Sequence, residues 1–556
     1  MADPLRTDIL IAGGGPCGLM LANELGRRGV SCLLVDPKPG TAFNPQANAT
    51  QARTMEHFRR LGFAGEIRAQ GLPADHPTDI AYFTRYTGHE LARLPLPTAA
   101  QAVHNIKAMS GSWSAAELPH RVSQKFVEAT LRRQAEALPG IDVRYGWALE
   151  SFEDCGSHVQ AQLRASDGGE IQPVRAAWLV GADGPRSLVR SALGIGWDGA
   201  SGVKREFMGG KMFAVYLRAP GFYAAFPHAR AWMYVSVNPQ RRAFMASVDG
   251  QSEFAFHAAV HEGEDAEAWT AGDAQRIFDE AMGRHVPIEV LSVGTWTAGH
   301  SLVAQGFQRG RVFIGGDAAH LFTPTGGLGY NTAVEDAVNL GWKLAAVVRG
   351  SAPPALLDSY ETERKPLAER NTAYARRFAD SVGRFTASAL LEQDDAAGQA
   401  ERERSGSYLN QHVRLEFNIP GVTFGGRYDG SPLIVKDGSS APPDEAGNYQ
   451  PSASPGGRAP HAWLEDGASL YDSFNFEWTL LALGPDVPGT QGFVDAAAAL
   501  KLDLKVVAQP SATVRALYEA PLALIRPDQI VAWRGNHDQD ARQVLAQASG
   551  HASNRP

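Results

Sequence analysis

The sequence predicts an α/β protein of two or three domains, opened by a Rossmann-type unit. Three observations carry this expectation. The chain begins strand, glycine turn, helix, strand. A second buried strand ends at Asp317 and runs into another cluster of glycines. From residue 455 onward, strand and helix alternate and close on a hairpin. A chain of 556 residues also exceeds one ordinary core, so several domains are expected.

Taken in order, Thr7–Gly15 (TDILIAGGG) reads as a buried strand and Pro16–Gly29 as a helix stopped by Gly29. Val30–Asp36 is the second strand of a parallel βαβ unit. Gln51–Gly71 continues with a helical pattern, and residues 78–97 are strand-like and irregular. His120–Gly140 is helical, with Val122, Phe126, Ala129 and Leu131 near helical spacing. Residues 207–293 are strand-rich and aromatic, with a helical stretch at Ala266–Arg284. The strand that ends at Asp317 is followed by helices to Glu392. Residues 394–458, rich in Gly, Ser, Asp and Pro, read as a connecting segment over the core. A small α/β unit follows: strand EWTLLALG, helix TQGFVDAAAALKLDL, strand KVVAQP and hairpin APLALIRPDQIVAWRG.

Composition excludes several function classes. A hydrophobic fraction of 44% and a charged fraction of 20% are ordinary for a globular protein. With a net charge of -8 and only short basic runs such as Arg241–Arg242, no nucleic-acid face is expected. No apolar run reaches the about 18 residues of a membrane span, and MADPLRTDILIAGGG lacks a signal-peptide layout. A cytoplasmic protein without membrane association is expected. The three cysteines (Cys17, Cys32, Cys155) have no paired spacing, which argues against disulfides and a Cys-based metal site.

Gly13, Gly15 and Gly18 form G-x-G-x-x-G between strand and helix, with Pro16 at the helix start. Gly13 permits the tight turn, Gly15 lets backbone N–H groups reach a pyrophosphate, and Gly18 allows close helix–strand packing. The helix N-terminus presents its positive dipole end to the phosphates. Asp36, 18 residues beyond Gly18, is placed to accept ribose hydroxyls. An acid there, rather than an arginine, favours the unphosphorylated ribose of FAD or NAD. A bare glycine triplet also occurs in ordinary turns; here strand, helix and acid are all in place. The second glycine site, at Asp317 and Gly326–Gly329, asks for a long molecule lying between two strand ends. FAD is such a molecule.

This constellation resembles the class A flavoprotein aromatic hydroxylases, the para-hydroxybenzoate and phenol hydroxylase family. The motifs are GGGPCG with Asp36, LVGADGPRSLVRSALGI with Asp183-Gly184, and FIGGDAAHLFTPTGGLGYNTAVEDAVNLGWKLA; LLDSYETERKP is also similar. The resemblance implies a Rossmann-type FAD-binding domain with an interleaved β-sheet substrate domain and a C-terminal thioredoxin-like domain. The implied order is FAD-binding residues 1–77, substrate insertion 78–119, FAD-binding 120–204, β-rich substrate domain 205–298, FAD-binding 299–393, connecting segment 394–454 and thioredoxin-like domain 455–556. That last domain has no cysteine, so a dithiol role is excluded; packing or oligomerisation, such as a homodimer, is its expected job.

Further implications concern roles. Asp317 would bind the flavin ribityl chain, and the backbone of Pro324, Gly326, Gly327, Leu328, Gly329 and Asn331 would lie against the isoalloxazine. Gln124 and Arg53 match positions near the flavin, and Asp183 would contact flavin and nicotinamide regions. Two departures stand out: Gln46-Ala47 replaces a frequent Arg-Ala, and Tyr330 a frequent Met. The implied reaction uses FAD, NADPH or NADH and O2. A flavin C4a-hydroperoxide would hydroxylate a small phenolic or polycyclic substrate. The helix start near Gly329–Asn331 would meet charge on the reduced flavin.

A base or relay to the substrate hydroxyl is also needed. Candidates are His228, Tyr223 and Tyr234 in Gly221–Asn238, and Asn48 in the loop that nears the ring in relatives. His228 is the natural titrating group. A surface histidine after Pro227 and core aromatics would share the same local sequence. His320 fits backbone orientation as well as catalysis. Epoxidation, Baeyer–Villiger oxygenation and a non-catalytic binding role are the competing functions for this scaffold.

Overall fold

The structure, a computed structural model, describes residues 3–200, 210–297 and 299–552. The expected domain boundaries after residues 204 and 298 touch positions outside the described residues.

The first sheet has eight strands. Its centre is Leu5–Ala12, flanked in parallel by Cys32–Asp36 and Ile171–Gly181. Val312–Ile314 extends it in parallel beyond Ile171–Gly181. Ile9–Ile11 and Leu33–Val35 are buried, as a parallel strand covered on both faces requires. The helix Pro16–Gly26 packs between this sheet and the helix Leu328–Val348. The single helix expected over Gln51–Gly71 is two, Ala52–Arg60 and Ala64–Arg68. Gly62, at φ +87°, breaks them.

The second sheet has seven strands, in the order Glu289–Thr297, Lys211–Arg218, Glu253–Ala259, Arg242–Ser247, Met233–Val237, Ile80–Phe83, Glu90–Leu94. Strand alternation sorts its side chains. Phe83, Phe213, Tyr234, Met245 and Phe256 face outward, where Ile277, Phe278 and Ala281 of the helix Ala271–Met282 cover them. Tyr82, Val235, Phe244, His257 and Tyr216 alternate with them, on the inner face. That face turns toward the first domain: Phe126 packs on Tyr216, and Val382 on Met212 and Ala259.

The third unit has strand order Leu504–Gln509, Trp478–Leu483, Leu522–Ile525, Val531–Gly535, with the first pair parallel and the others antiparallel. This is a thioredoxin-like order. Its core runs into the first domain, where Trp342 meets Trp478 edge-on at 5.9 Å.

Within the segment read as a connector lies a 22-residue helix, Ala396–Phe417. Its apolar stripe is diluted by glycines and serines, so periodicity does not reveal it. Leu409 and Val413 are buried beside polar Ser405, His412 and Glu416. Gly406 brings the backbone against the Leu91 carbonyl, which a Cβ would strike. Among the described residues no helix is long and apolar enough to cross a membrane, and no cluster could hold a metal ion.

Buried charges join the C-terminal unit to the rest. Glu363 accepts from Arg526 at 2.6 and 2.8 Å and from Lys343 at 2.6 Å; Arg526 also pairs with Asp528 at 2.7 Å. Glu56 accepts from Arg458 at 3.0 and 2.5 Å, from Arg53 and from the Ala116 amide. A buried pair broken on one side leaves an uncompensated charge. Arg526→Ala is therefore expected to cost about 3–5 kcal/mol in urea unfolding. A loss within the about 1 kcal/mol of a surface pair would refute this reading.

Candidate active site

The carboxyl ends of the parallel strands meet in one crevice. The Gly13 amide donates to Val35 O at 2.8 Å, and the Gly14 amide to Asp36 Oδ2 at 2.8 Å. Asp36 Oδ1 accepts from the Lys38 amide at 2.9 Å. Gly13 has φ +114°, and a Cβ there would collide with the Ala182 carbonyl next to Asp183. A Cβ on Gly18 would collide with the Gly13 carbonyl. At Gly15 a Cβ would meet no protein atom within 4 Å. Protein packing therefore explains two of the glycines but not Gly15. Its position, ahead of a helix with Pro16 at N1 and no side-chain cap, fits an approaching pyrophosphate.

The second glycine cluster opens on the same crevice, because Gly315 N–H donates to Gly181 O at 3.0 Å. Asp317 follows on a short 3-10 turn, exposed to the crevice with dense protein around it; that desolvation raises its carboxyl above the usual range. Behind the turn, buried Asp336 accepts from the Gly316 amide at 3.1 Å, His320 Nε2 at 2.6 Å and Arg364 Nε at 2.8 Å. Burial alone would raise the Asp336 carboxyl, but His320 and Arg364 beside it hold it below the usual range. His320 thus orients the turn from behind.

The loop Pro324–Gly327 turns through φ +72° and +63° at Gly326 and Gly327 before the helix Leu328–Val348 starts. Glu416 Oε1 accepts from the Gly326 amide at 3.1 Å, and Gln51 Nε2 donates to the Gly326 carbonyl at 3.2 Å. Asn331 is a staple: its amide donates to Ala49 O and Gly327 O, and its oxygen accepts from Gln51 N and Thr54 Oγ1. Leu328 is buried against Phe378, and a Cβ on Gly329 would press Phe322. The backbone of Gln124 donates to Ala47 O at 2.7 Å and its side chain to Glu128 at 2.7 Å, which ties the Ala47–Asn48 loop to its helix.

Around the crevice, the buried atoms Asn48 Oδ1, Ser123 Oγ and Asp183 Oδ1 have no hydrogen-bond partner among the described residues. Such atoms are costly unless a ligand or water satisfies them. The glycine cradle and these atoms fit FAD.

Two groups of expected residues lie elsewhere. Arg53 points to the C-terminal unit, donating to Glu56, Gln529 and Asp528 O at 2.7–3.0 Å. Its helix-start position does not set its direction; the buried Glu56 beside it does. Tyr234 is fully buried in the outer core, where its hydroxyl accepts from the Ala231 amide. Tyr223 sits on the same side, 3.3 Å from both His76 and Ser247. His228 lies 2.7 Å from Gly88 O and against Phe83. The outer sheet face gathers these three, and only Asn48 of the four catalytic candidates stands by the crevice. Asp336 and Arg364 lie inside the motifs that carry the resemblance but were not singled out there; Glu416 and the inner-face trio Phe244, His257 and Trp296 carried no recognisable signal in the sequence.

Fold and crevice define an FAD-dependent oxygenase scaffold, and comparison with known proteins places it. Residues 6–375 match the FAD binding domain family, and residues 452–556 match the aromatic-ring hydroxylase C-terminal family. The chain is 32% identical to aklavinone 12-hydroxylase RdmE of Streptomyces purpurascens, over 97% of both chains. It is also similar to the rebeccamycin biosynthetic enzyme RebC with reduced flavin (33% identity, TM-score 0.88, 99% of this chain and 100% of that one). The likeness extends to aklavinone-11 hydroxylase in complex with FAD and aklavinone (28% identity, TM-score 0.81, with the same coverage). The chain belongs to the FAD-dependent aromatic-ring hydroxylases, and its activity is that of a monooxygenase.

Asp317→Ala is expected to weaken FAD retention about tenfold to a hundredfold, read as flavin absorbance after dialysis. His228→Ala should leave it unchanged. Equal retention in both variants would count against Asp317.

Proposed function

We propose that the chain hydroxylates a planar polycyclic phenol lying on the inner face of the seven-stranded sheet, with NADPH or NADH as reductant. One observation carries the placement. The outer face of the sheet is closed, whereas the inner face stays partly open where aromatic rings line it. Phe244 stacks on His257 at 4.6 Å and 19°, and Trp296 stands edge-on to His257 at 5.8 Å; all three are half-buried. Farther along, Phe43 is 63% exposed and meets Tyr216 edge-on at 5.5 Å. Between these groups Ala214 pairs with Gly294, so the floor is made of small residues. The rungs Met212–Trp296, Ala214–Gly294 and Tyr216–Ser292 are spaced about 7 Å apart, so the aromatic walls at Trp296 and Tyr216 stand about 13 Å apart along the strands, a span that suits fused rings better than one.

This shelf adjoins the glycine loop. Ala49, against which a Cβ on Gly327 would press at 3.1 Å, packs in the same cluster as Tyr82 and Val235. Phe378 touches the Gly326 position, and Val382, one turn further along its helix, touches Met212. Aklavinone, bound by one structural relative, is a precedent for a substrate taken up by this scaffold.

FAD supplies the redox and oxygen chemistry, fed by NAD(P)H and O2. The chain supplies position and field. Asp36 and Asp317 would hold the ribose and ribityl hydroxyls through their carboxylates. The first-turn amides of Leu328–Val348 would present a positive dipole end to negative charge on the bound flavin. Asn331 and Gln51 hold the segment that follows Asn48, whose amide would be available to the bound flavin.

A Cβ at Gly294 meets nothing within 4 Å, so Gly294→Trp starts without a backbone clash and projects its ring into the shelf. It is expected to raise KM for phenolic substrates about tenfold with unchanged FAD content. Wild-type enzyme should couple NAD(P)H consumption to a product one oxygen heavier and hydroxylated on the ring. Peroxide formation with every phenol tested, or a ring-expanded or epoxide product, would refute the proposal.

A further inference from the structure

We infer that His257 is a specificity-determining residue, a donor-only imidazole whose Nε2–H selects planar substrates carrying a ketone or quinone oxygen at the ring edge. The inference rests on the placement of the substrate on the inner sheet face.

The tautomer follows from the partner. Trp296 Nε1–H lies 3.0 Å from His257 Nδ1. An indole nitrogen can only donate, so Nδ1 is the unprotonated nitrogen and the neutral ring carries its proton on Nε2. Phe244, stacked on the imidazole, fixes its plane. Nε2 has no hydrogen-bond partner among the described residues and is not enclosed, since it is absent from the buried atoms that lack one. The ring therefore presents one N–H to the shelf and no acceptor.

With Nδ1 taken by the Trp296 N–H, the ring offers the shelf no free basic nitrogen. Burial pushes its pKa down to about 4, with no charged side chain contributing to the shift. At neutral pH it is an uncharged donor. A carbonyl oxygen is a pure acceptor and complements it. A phenol oxygen, whose lone pair is delocalised into the ring, is a weaker match, and an unsubstituted ring edge would leave the donor unpaired at a desolvated contact. Ala214, paired with His257 across the sheet, adds only a methyl, so the adjacent strand on the shelf side offers no competing donor on this rung.

The test uses FAD-loaded enzyme and two matched three-ring probes, 2-hydroxy-9-fluorenone and 2-hydroxyfluorene, which differ in one carbonyl. Dissociation constants come from perturbation of the flavin absorbance. Wild type should bind the ketone about tenfold more tightly. His257→Phe should abolish that preference by weakening the ketone alone, and Gly294→Trp should weaken both probes. Histidine-labelled enzyme should show His257 as the Nε2–H tautomer in 15N spectra at pH 7, whatever the fate of the variant. Loss of both probes alike in His257→Phe, an unchanged preference, or an Nδ1–H tautomer would overturn the role of His257. Binding insensitive to Gly294→Trp, or no binding of either probe to wild type, would overturn the placement on the sheet face instead.

Discussion

A helix buried along most of its length must settle its own polar side chains, and Leu328–Val348 does so at successive levels. Near its start Asn331 staples the Ala49–Gln51 segment to Gly327. One turn on, Asp336 gathers the Gly316 amide, His320 and Arg364. Further along, Asn339 and Lys343 reach Glu363 and, with it, Arg526 of the C-terminal unit. Each carboxylate is compensated by cations and by N–H donors, the condition under which buried charge is tolerated. The same helix thereby fixes the glycine loop, the Asp317 turn and the domain interface. Its N-terminal dipole is aimed by these contacts rather than by the loop itself.

The seven-stranded sheet divides its work between its faces. The outer face is an ordinary core, with Tyr86, Phe222, Phe226 and Tyr234 packed edge to face. The inner face is covered by the flavin-side helices only in part. What is left open has aromatic walls, a floor of small residues and one oriented imidazole. On the proposed placement, recognition would be built on strands rather than on loops, with its geometry set by the pleat.

Much of this was legible in the sequence. The strand, glycine and acid of the first βαβ unit act within one short stretch, and local chemistry dictates them. The Gly315–Gly329 cluster was legible for the same reason. Residues whose role depends on register or on distant partners were not. Tyr234 and Phe244 look alike in an aromatic strand-rich segment; only pairing shows that one faces outward and the other inward. His257 is one of 16 histidines, and its meaning comes from Trp296 on a strand two places away in the sheet. Arg53 sits where a flavin contact would be expected, yet Glu56, three residues on, turns it toward the C-terminal unit. The helix Ala396–Phe417 hid behind its own glycines and serines.

The contact between Arg53 and Gln529 ties two scales of the molecule together. Arg53 lies two residues after Gln51, which holds the Gly326 carbonyl. A domain without a single cysteine thus has its hand on the backbone that holds the Pro324–Gly327 loop. In evolutionary terms, the C-terminal unit cannot be traded between lineages as a passive bead on a string. A lineage that replaced it would have to bring matching charges for Glu56 and Glu363, or retune the oxygenase it came to hold.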